Sequence, residues 1–296
     1  MSRRNRFCIL WAALTLMLLL CSVSALAEIV SLPIDDSCGP VPDDAFYLDE
    51  VTYEDPSIKV SIETYPWEKT VCYVARVKVA DASQLRSASA YGFTRKQIAS
   101  VKDMARRMNA VIAINGDYCY YQLSTVGSYL IRQGVQYSDR LSEGRDMLMI
   151  DKNGDFTILQ DVTYEKLNAF DMASVVNTFS FGPGLIVDGQ PLDPSYKAMF
   201  NGSLERHQRA AIAQVKKGEL EYVLAVSEGD RESKDGGLTL HEWAAFLSTL
   251  GVENAYNLDG GNSTAIIFHG EKINAVKNKH HRKLSDIIYF ASAYQE

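Results

Sequence analysis

Apolar and polar positions alternate with a period of two at Ile58-Lys59-Val60-Ser61-Ile62. The same period returns over 71–79 through Cys72, Val74, Ala75 and Val77, so two half-buried antiparallel strands are predicted. The period changes over 94–108, where Ile98, Val101, Met104, Ala105 and Met108 fall at helical spacing. Thr94 is the predicted N-cap, and the helix feeds a β-branched strand over 110–114. Apolar runs at 146–150 and 156–159 flank Asp151-Lys152-Asn153-Gly154-Asp155, a hairpin signature. Its alternating acids resemble a calcium loop, but the distal glutamate such a loop needs is absent. Further strands are predicted at 175–181 and 185–187 around Gly182-Pro183-Gly184, and at 209–215 and 220–226 around Lys216-Lys217-Gly218-Glu219. Over 239–250 an amphipathic helix opens on Thr239 with Glu242 three residues on and stops at Gly251, handing the chain to an apolar run at 252–258. Residues 58–296 contain no long linker. They read as a single α+β domain with a mixed β-sheet core and a few packed helices. Residues 28–57, with Pro33, Pro40, Pro42 and Pro56, read as an irregular N-terminal arm.

The beginning of the chain carries a different pattern. Arg3, Arg4 and Arg6 precede an apolar run at 7–20 and the small-x-small sequence Ser24-Ala25-Leu26-Ala27, so residues 1–27 are expected to be a cleaved signal peptide, with an uncleaved anchor the minor alternative. A lipoprotein box at Leu18-Leu19-Leu20-Cys21 fits poorly because of its bulky leucines, and a twin-arginine signal lacks its usual spacing. The expected location is therefore secreted or cell-envelope, with no stable membrane span after cleavage. The net charge of −7 becomes −10 when three arginines leave with the signal, which argues against nucleic acid or an anionic membrane as partner. Of five cysteines, Cys38, Cys72 and Cys119 remain, an odd number that permits at most one intramolecular disulfide. Cys119, without a nearby histidine in sequence, is read as packed or paired and not as a nucleophile.

Two apolar runs end in an acid. Tyr256-Asn257-Leu258-Asp259-Gly260-Gly261-Asn262-Ser263-Thr264 delivers one carboxylate into a paired-glycine turn crowded with hydrogen-bonding groups, and Ile114-Asn115-Gly116-Asp117 repeats the arrangement before Tyr118, Tyr120 and Tyr121. The competing reading of Asp259-Gly260 is a plain hairpin, with 266–268 as the returning strand. If the two strand ends are neighbours, both acids face one cleft.

Five motifs in order, I-N-G-D-Y at 114–118, F-G-P-G-L-I-V-D-G at 181–189, Q-R-A-A-I-A at 208–213, G-L-T-L-H-E-W-A at 237–244 and N-L-D-G-G-N-S-T at 257–264, resemble the phosphodiester glycosidase family. The resemblance runs from about Val71 to Phe290. It departs at Asp117, where many relatives have glycine, at Ala210, where threonine commonly follows the arginine, and at Asn262, where glycine is frequent. The resemblance implies an exported, bacterial-envelope hydrolase acting on a GlcNAc-1-phosphodiester-like glycan. Because phosphate is already a good leaving group, the chemistry needs a carboxylate and a cation more than a strong acid. Asp259 is then the base or nucleophile, Asp117 or Glu228 the second acid, and Arg209 the phosphate clamp, with Arg231 and Arg282 in reserve. Asn115 and Asn257 are orienting residues, and Gly116, Gly260, Gly261, Ser263 and Thr264 line the substrate. No cofactor is required by the sequence. A divalent Ca2+ or Mg2+ would find hard oxygen ligands in Asp117, Glu228 and Asp259 were these to converge. Of the five histidines, His207, His241, His280 and His281 lack zinc spacing, and the last two sit in a small basic loop. A Ser–His–acid hydrolase through Ser263 lacks a G-x-S-x-G elbow. The other class of function is a non-catalytic envelope module that binds glycan through the tyrosine cluster.

Overall fold

The computed structural model describes residues 28–94, 97–117, 129–195, 205–229, 236–274 and 282–295. The expected signal peptide, Tyr118, Cys119, Tyr120, Tyr121, Arg231, His280 and His281 lie outside them.

The alternating stretches at the start of the domain form the long hairpin Ile58–Trp67 and Thr70–Val79, whose inward side chains Val60, Ile62, Ala75 and Val77 are buried while Lys59 faces solvent. This hairpin sits in an eight-stranded sheet in the order Gln190–Pro191, Gly184–Val187, Asn254–Leu258, Ala210–Gln214, Glu221–Ser227, Thr70–Val79, Ile58–Trp67, Thr52–Glu54. A five-stranded sheet runs in the order Glu271–Lys272, Ile266–Phe268, Ile112–Asn115, Asp286–Phe290, Leu85–Ser89. Side chains from both sheets, joined by Leu148, Ile150, Phe156 and Phe179 of a three-stranded sheet, make one core. The opposite face of the large sheet is covered by the helix Leu240–Ser248 through Trp243, Phe246 and Leu247. The opposite face of the five-stranded sheet is covered by Val101–Arg107 through Val101, Met104 and Ala105. The layers are thus helix, sheet, sheet, helix, and the protein is mostly β.

The expected mixed sheet is instead antiparallel at every strand pair among the described residues. The reason lies in two split crossovers. The helix Val101–Arg107 joins Leu85–Ser89 to Ile112–Asn115, which run the same way, but Asp286–Phe290 is inserted between them. The helix Leu240–Ser248 likewise joins Glu221–Ser227 to Asn254–Leu258, with Ala210–Gln214 inserted. Both acid-bearing strands are therefore the second strand of a split βαβ unit, a correspondence that sequence identity does not reveal.

Two local expectations change. The first helix opens at Val101 with Ser100 as its N-cap, not at Thr94, because Ala99 is held extended by a two-way backbone bridge to Leu284 (2.9 and 2.8 Å). The 28–57 arm is packed against the domain: the buried Arg86 donates to the carbonyl oxygens of Pro33, Asp35 and Ser37 at 2.7, 2.9 and 3.1 Å, and Thr52–Glu54 adds an edge strand. Elsewhere the reading holds locally. The 239–242 capping box forms, with Glu242 N–H donating to Thr239 Oγ1 at 3.2 Å and Thr239 N–H to Glu242 Oε2 at 2.9 Å. Cys38 and Cys72 both carry free thiols.

Candidate active site

The strands Ile112–Asn115 and Asn254–Leu258 belong to different sheets, yet their C-terminal ends meet across the core. Asn115 joins them: its Nδ2 donates to the Asp259 carbonyl at 2.7 Å while its Oδ1 accepts from Ala265 N–H at 3.1 Å. Gly116 leaves room for a third acid, since a Cβ there would lie 2.5 Å from the Asp286 carboxylate. Gly260 has no room for a side chain either, its Cβ position falling 2.5 Å from the Gln208 carbonyl oxygen. The plain hairpin reading of Asp259-Gly260 is excluded, because Ile266–Phe268 pairs with Ile112–Asn115 in the other sheet and not with the strand that precedes the turn.

The two acids differ in environment. Asp117 is fully buried; its Oδ1 accepts from Arg132 Nη2 at 3.0 Å and its Oδ2 from Ser180 N–H at 2.8 Å. The same Nη2 lies 3.0 Å from Asp286 Oδ2, and the guanidinium stacks 4.1 Å from the Phe179 ring centroid. One buried cation thus serves two buried carboxylates. Burial, followed by the repulsion of Asp286 and Asp259, pushes the Asp117 carboxyl upward against the pull of Arg132. Asp259 is only 6% exposed, and burial raises it to about 6; the neighbouring Ser263 hydroxyl, outside hydrogen-bond geometry, and Arg282 partly offset that rise. Among the described residues its Oδ2 accepts no hydrogen bond, and the half-exposed Arg282 guanidinium is ion-paired to it at 3.7 Å. Asp117 is held by two hydrogen bonds, while Asp259 Oδ2 has the Arg282 ion pair and no hydrogen bond among the described residues.

Other expected site residues lie around this pair or apart from it. Asn257, Ser263 and Thr264 are buried along the turn that carries Asp259, and Gly261 takes a left-handed φ of 61° that favours glycine. Glu228 is engaged by the Tyr73 hydroxyl at 2.8 Å and influences Lys272, whose ammonium donates to the Thr264 carbonyl at 3.0 Å and is lowered to about 8 by burial. Arg209 follows the register to the position opposite Asp259, but its guanidinium turns to the Leu238 and Glu205 carbonyls at 2.8 and 2.6 Å, tying three loops together. Among the described residues, Arg132 and Arg282 form ion pairs with the site carboxylates. Among the described residues no group of three histidine, cysteine or acidic side chains is arranged to hold a metal ion, so Asp117, Glu228 and Asp259 do not form the cation site that their convergence would have made. Arg132, Ser180, Lys272 and Asp286 escape the sequence reading. Asp286 had a weaker signal, an acid abutting the apolar run Ile287 to Phe290 but at its start, where the other two acids follow their runs.

The sequence model of the phosphodiester glycosidase family matches residues 108–291, a span that holds Asp117, Asp259 and Asp286, and the chain belongs to that family. It is similar to the SPbeta prophage-derived uncharacterized protein YomE of Bacillus subtilis (strain 168), with 25% identity over 248 residues that cover 82% of this chain and 36% of the relative. The chain therefore spans about a third of the length of that curated relative. The fold is shared with the zebrafish N-acetylglucosamine-1-phosphodiester α-N-acetylglucosaminidase catalytic domain, auto-inhibited by its pro-peptide, at a TM-score of 0.64 and 19% identity over 90% of this chain and 98% of that one. It is also shared with a hypothetical protein from Synechocystis, at a TM-score of 0.52 and 17% identity over 79% and 62%. Among the described residues no helix is long and apolar enough to cross a membrane.

Proposed function

We propose that the protein is an exported hydrolase that cleaves the glycosidic bond of a sugar-1-phosphodiester, with Asp259 as its reactive carboxylate. The observation that carries this reading is Asp259 Oδ2, which accepts no hydrogen bond among the described residues and is ion-paired to the Arg282 guanidinium, backed by the buried Asp117–Arg132–Asp286 group. In the reaction the bond from the anomeric carbon to the phosphate oxygen breaks, its electron pair leaving with the phosphate monoester. Water forms the new bond to that carbon and gives its proton to Asp259, which is mostly ionised above pH 6. Arg282 receives the negative charge that gathers on the departing phosphate. Asp117 and Asp286, sharing Arg132, hold the strand end in place behind the oxocarbenium-like centre.

The test is release of free GlcNAc from a methyl phosphodiester of GlcNAc-1-phosphate. Turnover by the wild type, abolished in Asp259→Asn with binding retained, supports the hydrolase. Saturable glycan binding without turnover in the wild type overturns it in favour of a binding module.

A further inference from the structure

Buried oxygen atoms without a hydrogen-bond partner among the described residues are concentrated in the segment that carries Asp259: Asn257 Oδ1 on the strand before it, Asp259 Oδ2 itself, and Asn262 Oδ1, Ser263 Oγ and Thr264 Oγ1 after it, with Ser180 Oγ on the residue whose N–H donates to Asp117. Folded proteins leave few such groups unpaired, and a cluster of them signals a ligand that completes the set. The donor and acceptor character of the cluster selects the ligand. An amide or carboxylate oxygen only accepts, while a hydroxyl can donate or accept. A phosphate also only accepts, so it would meet Asn257 Oδ1, Asp259 Oδ2 and Asn262 Oδ1 oxygen against oxygen, and only the hydroxyls of the cluster could donate to it. A polyhydroxylated ring brings the donors that are missing.

Asn257 is the most constrained of these groups. Its Nδ2 donates to the Gly182 carbonyl at 2.8 Å and its backbone N–H to the Pro183 carbonyl at 3.1 Å. A carbonyl can only accept, so the amine must face Gly182 and the oxygen is the atom left over. The residue is 2% exposed and sits inside the Asn254–Leu258 strand, opposite Ala211, where backbone pairing fixes its position.

We propose that Asn257 Oδ1 accepts a hydroxyl proton from the sugar ring, with the Ser263 and Thr264 hydroxyls beside it, so that 257–264 is the sugar-reading wall and Arg282 the phosphate-facing side of the same site. This rests on the hydrolase reading for the identity of the site, but it concerns recognition and is testable without turnover. The wall selects its sugar by hydroxyls in place, because a ring lacking the matched hydroxyl leaves a buried acceptor unpaired.

The experiment measures binding of GlcNAc and of inorganic phosphate separately, by ligand-observed NMR, to the wild type and to Asn257→Ala, Thr264→Val and Arg282→Ala, with thermal melts to establish folding. Asn257→Ala is expected to weaken GlcNAc by about tenfold or more, the loss of one buried hydrogen bond, and to leave phosphate within about twofold. Arg282→Ala is expected to do the reverse. Thr264→Val, which conserves shape, carries the test if Asn257→Ala does not fold. The proposal is overturned if the wild type binds no GlcNAc, if the wall variants keep wild-type GlcNAc affinity, or if they lose phosphate as strongly as sugar. Hydrolysis by the wild type with sugar affinity indifferent to both wall variants sinks the wall and spares the hydrolase. GlcNAc binding that depends on Asn257 in a protein without turnover does the opposite.

Discussion

Replacing Asp259 by asparagine should make the protein more stable at neutral pH while removing its activity. Burial moves this carboxyl from 3.8 to about 6, roughly two units, and each unit corresponds to about 1.4 kcal/mol between the two protonation states. A carboxyl raised in the folded state favours folding in full below its unfolded value near 4, and that advantage is lost as the pH climbs through about 6. Above that point the ionised group burdens the fold by about 3 kcal/mol. Asparagine carries no charge at any pH, and its cost to the half-exposed Arg282 is below about 1 kcal/mol. The stability difference between variant and wild type should therefore widen by about 3 kcal/mol from pH 4 to pH 8. In a domain of this size that is roughly 6–12 °C in Tm. Urea unfolding or thermal melts of both proteins across that range provide the measurement. Parallel curves, with a gap constant to within about 1 kcal/mol, would show that Asp259 is not charged against its surroundings and would refute the electrostatic account of the site.

Two further outcomes follow from the buried group behind Asp259. Arg132→Met leaves Asp117 and Asp286 facing each other in the core and should cost about 3–5 kcal/mol in urea unfolding, a loss under about 1 kcal/mol being incompatible with a structural role for the shared guanidinium. Gly116→Ala forces a methyl to within 2.5 Å of the Asp286 carboxylate and should destabilise by about 1–3 kcal/mol while impairing turnover; a variant with wild-type stability and rate would mean that this packing does not position the acids.

The period of the apolar residues determined the local elements of this chain, because a strand with one buried face or a helix with one buried stripe writes its geometry into neighbouring positions. The Ile58–Trp67 hairpin, the capped helix at Leu240–Ser248 and the strands ending at Asn115 and Leu258 were legible for that reason. So was the pairing of a terminal acid with glycine, since close backbone approach admits no Cβ. What periodicity lacks is any term for which strands become neighbours. Insertion of Asp286–Phe290 and Ala210–Gln214 into the two crossovers turned an expected mixed sheet into antiparallel ones, a choice made by core packing between segments far apart in sequence. The same long-range packing brought Asp117 and Asp259 together, seated Arg132 between two acids and turned Arg209 toward backbone carbonyls. Side-chain identity proposes a charge, but its neighbours and its distance from water, which only the assembled core fixes, decide whether that charge is a tie, a support or a reactive group.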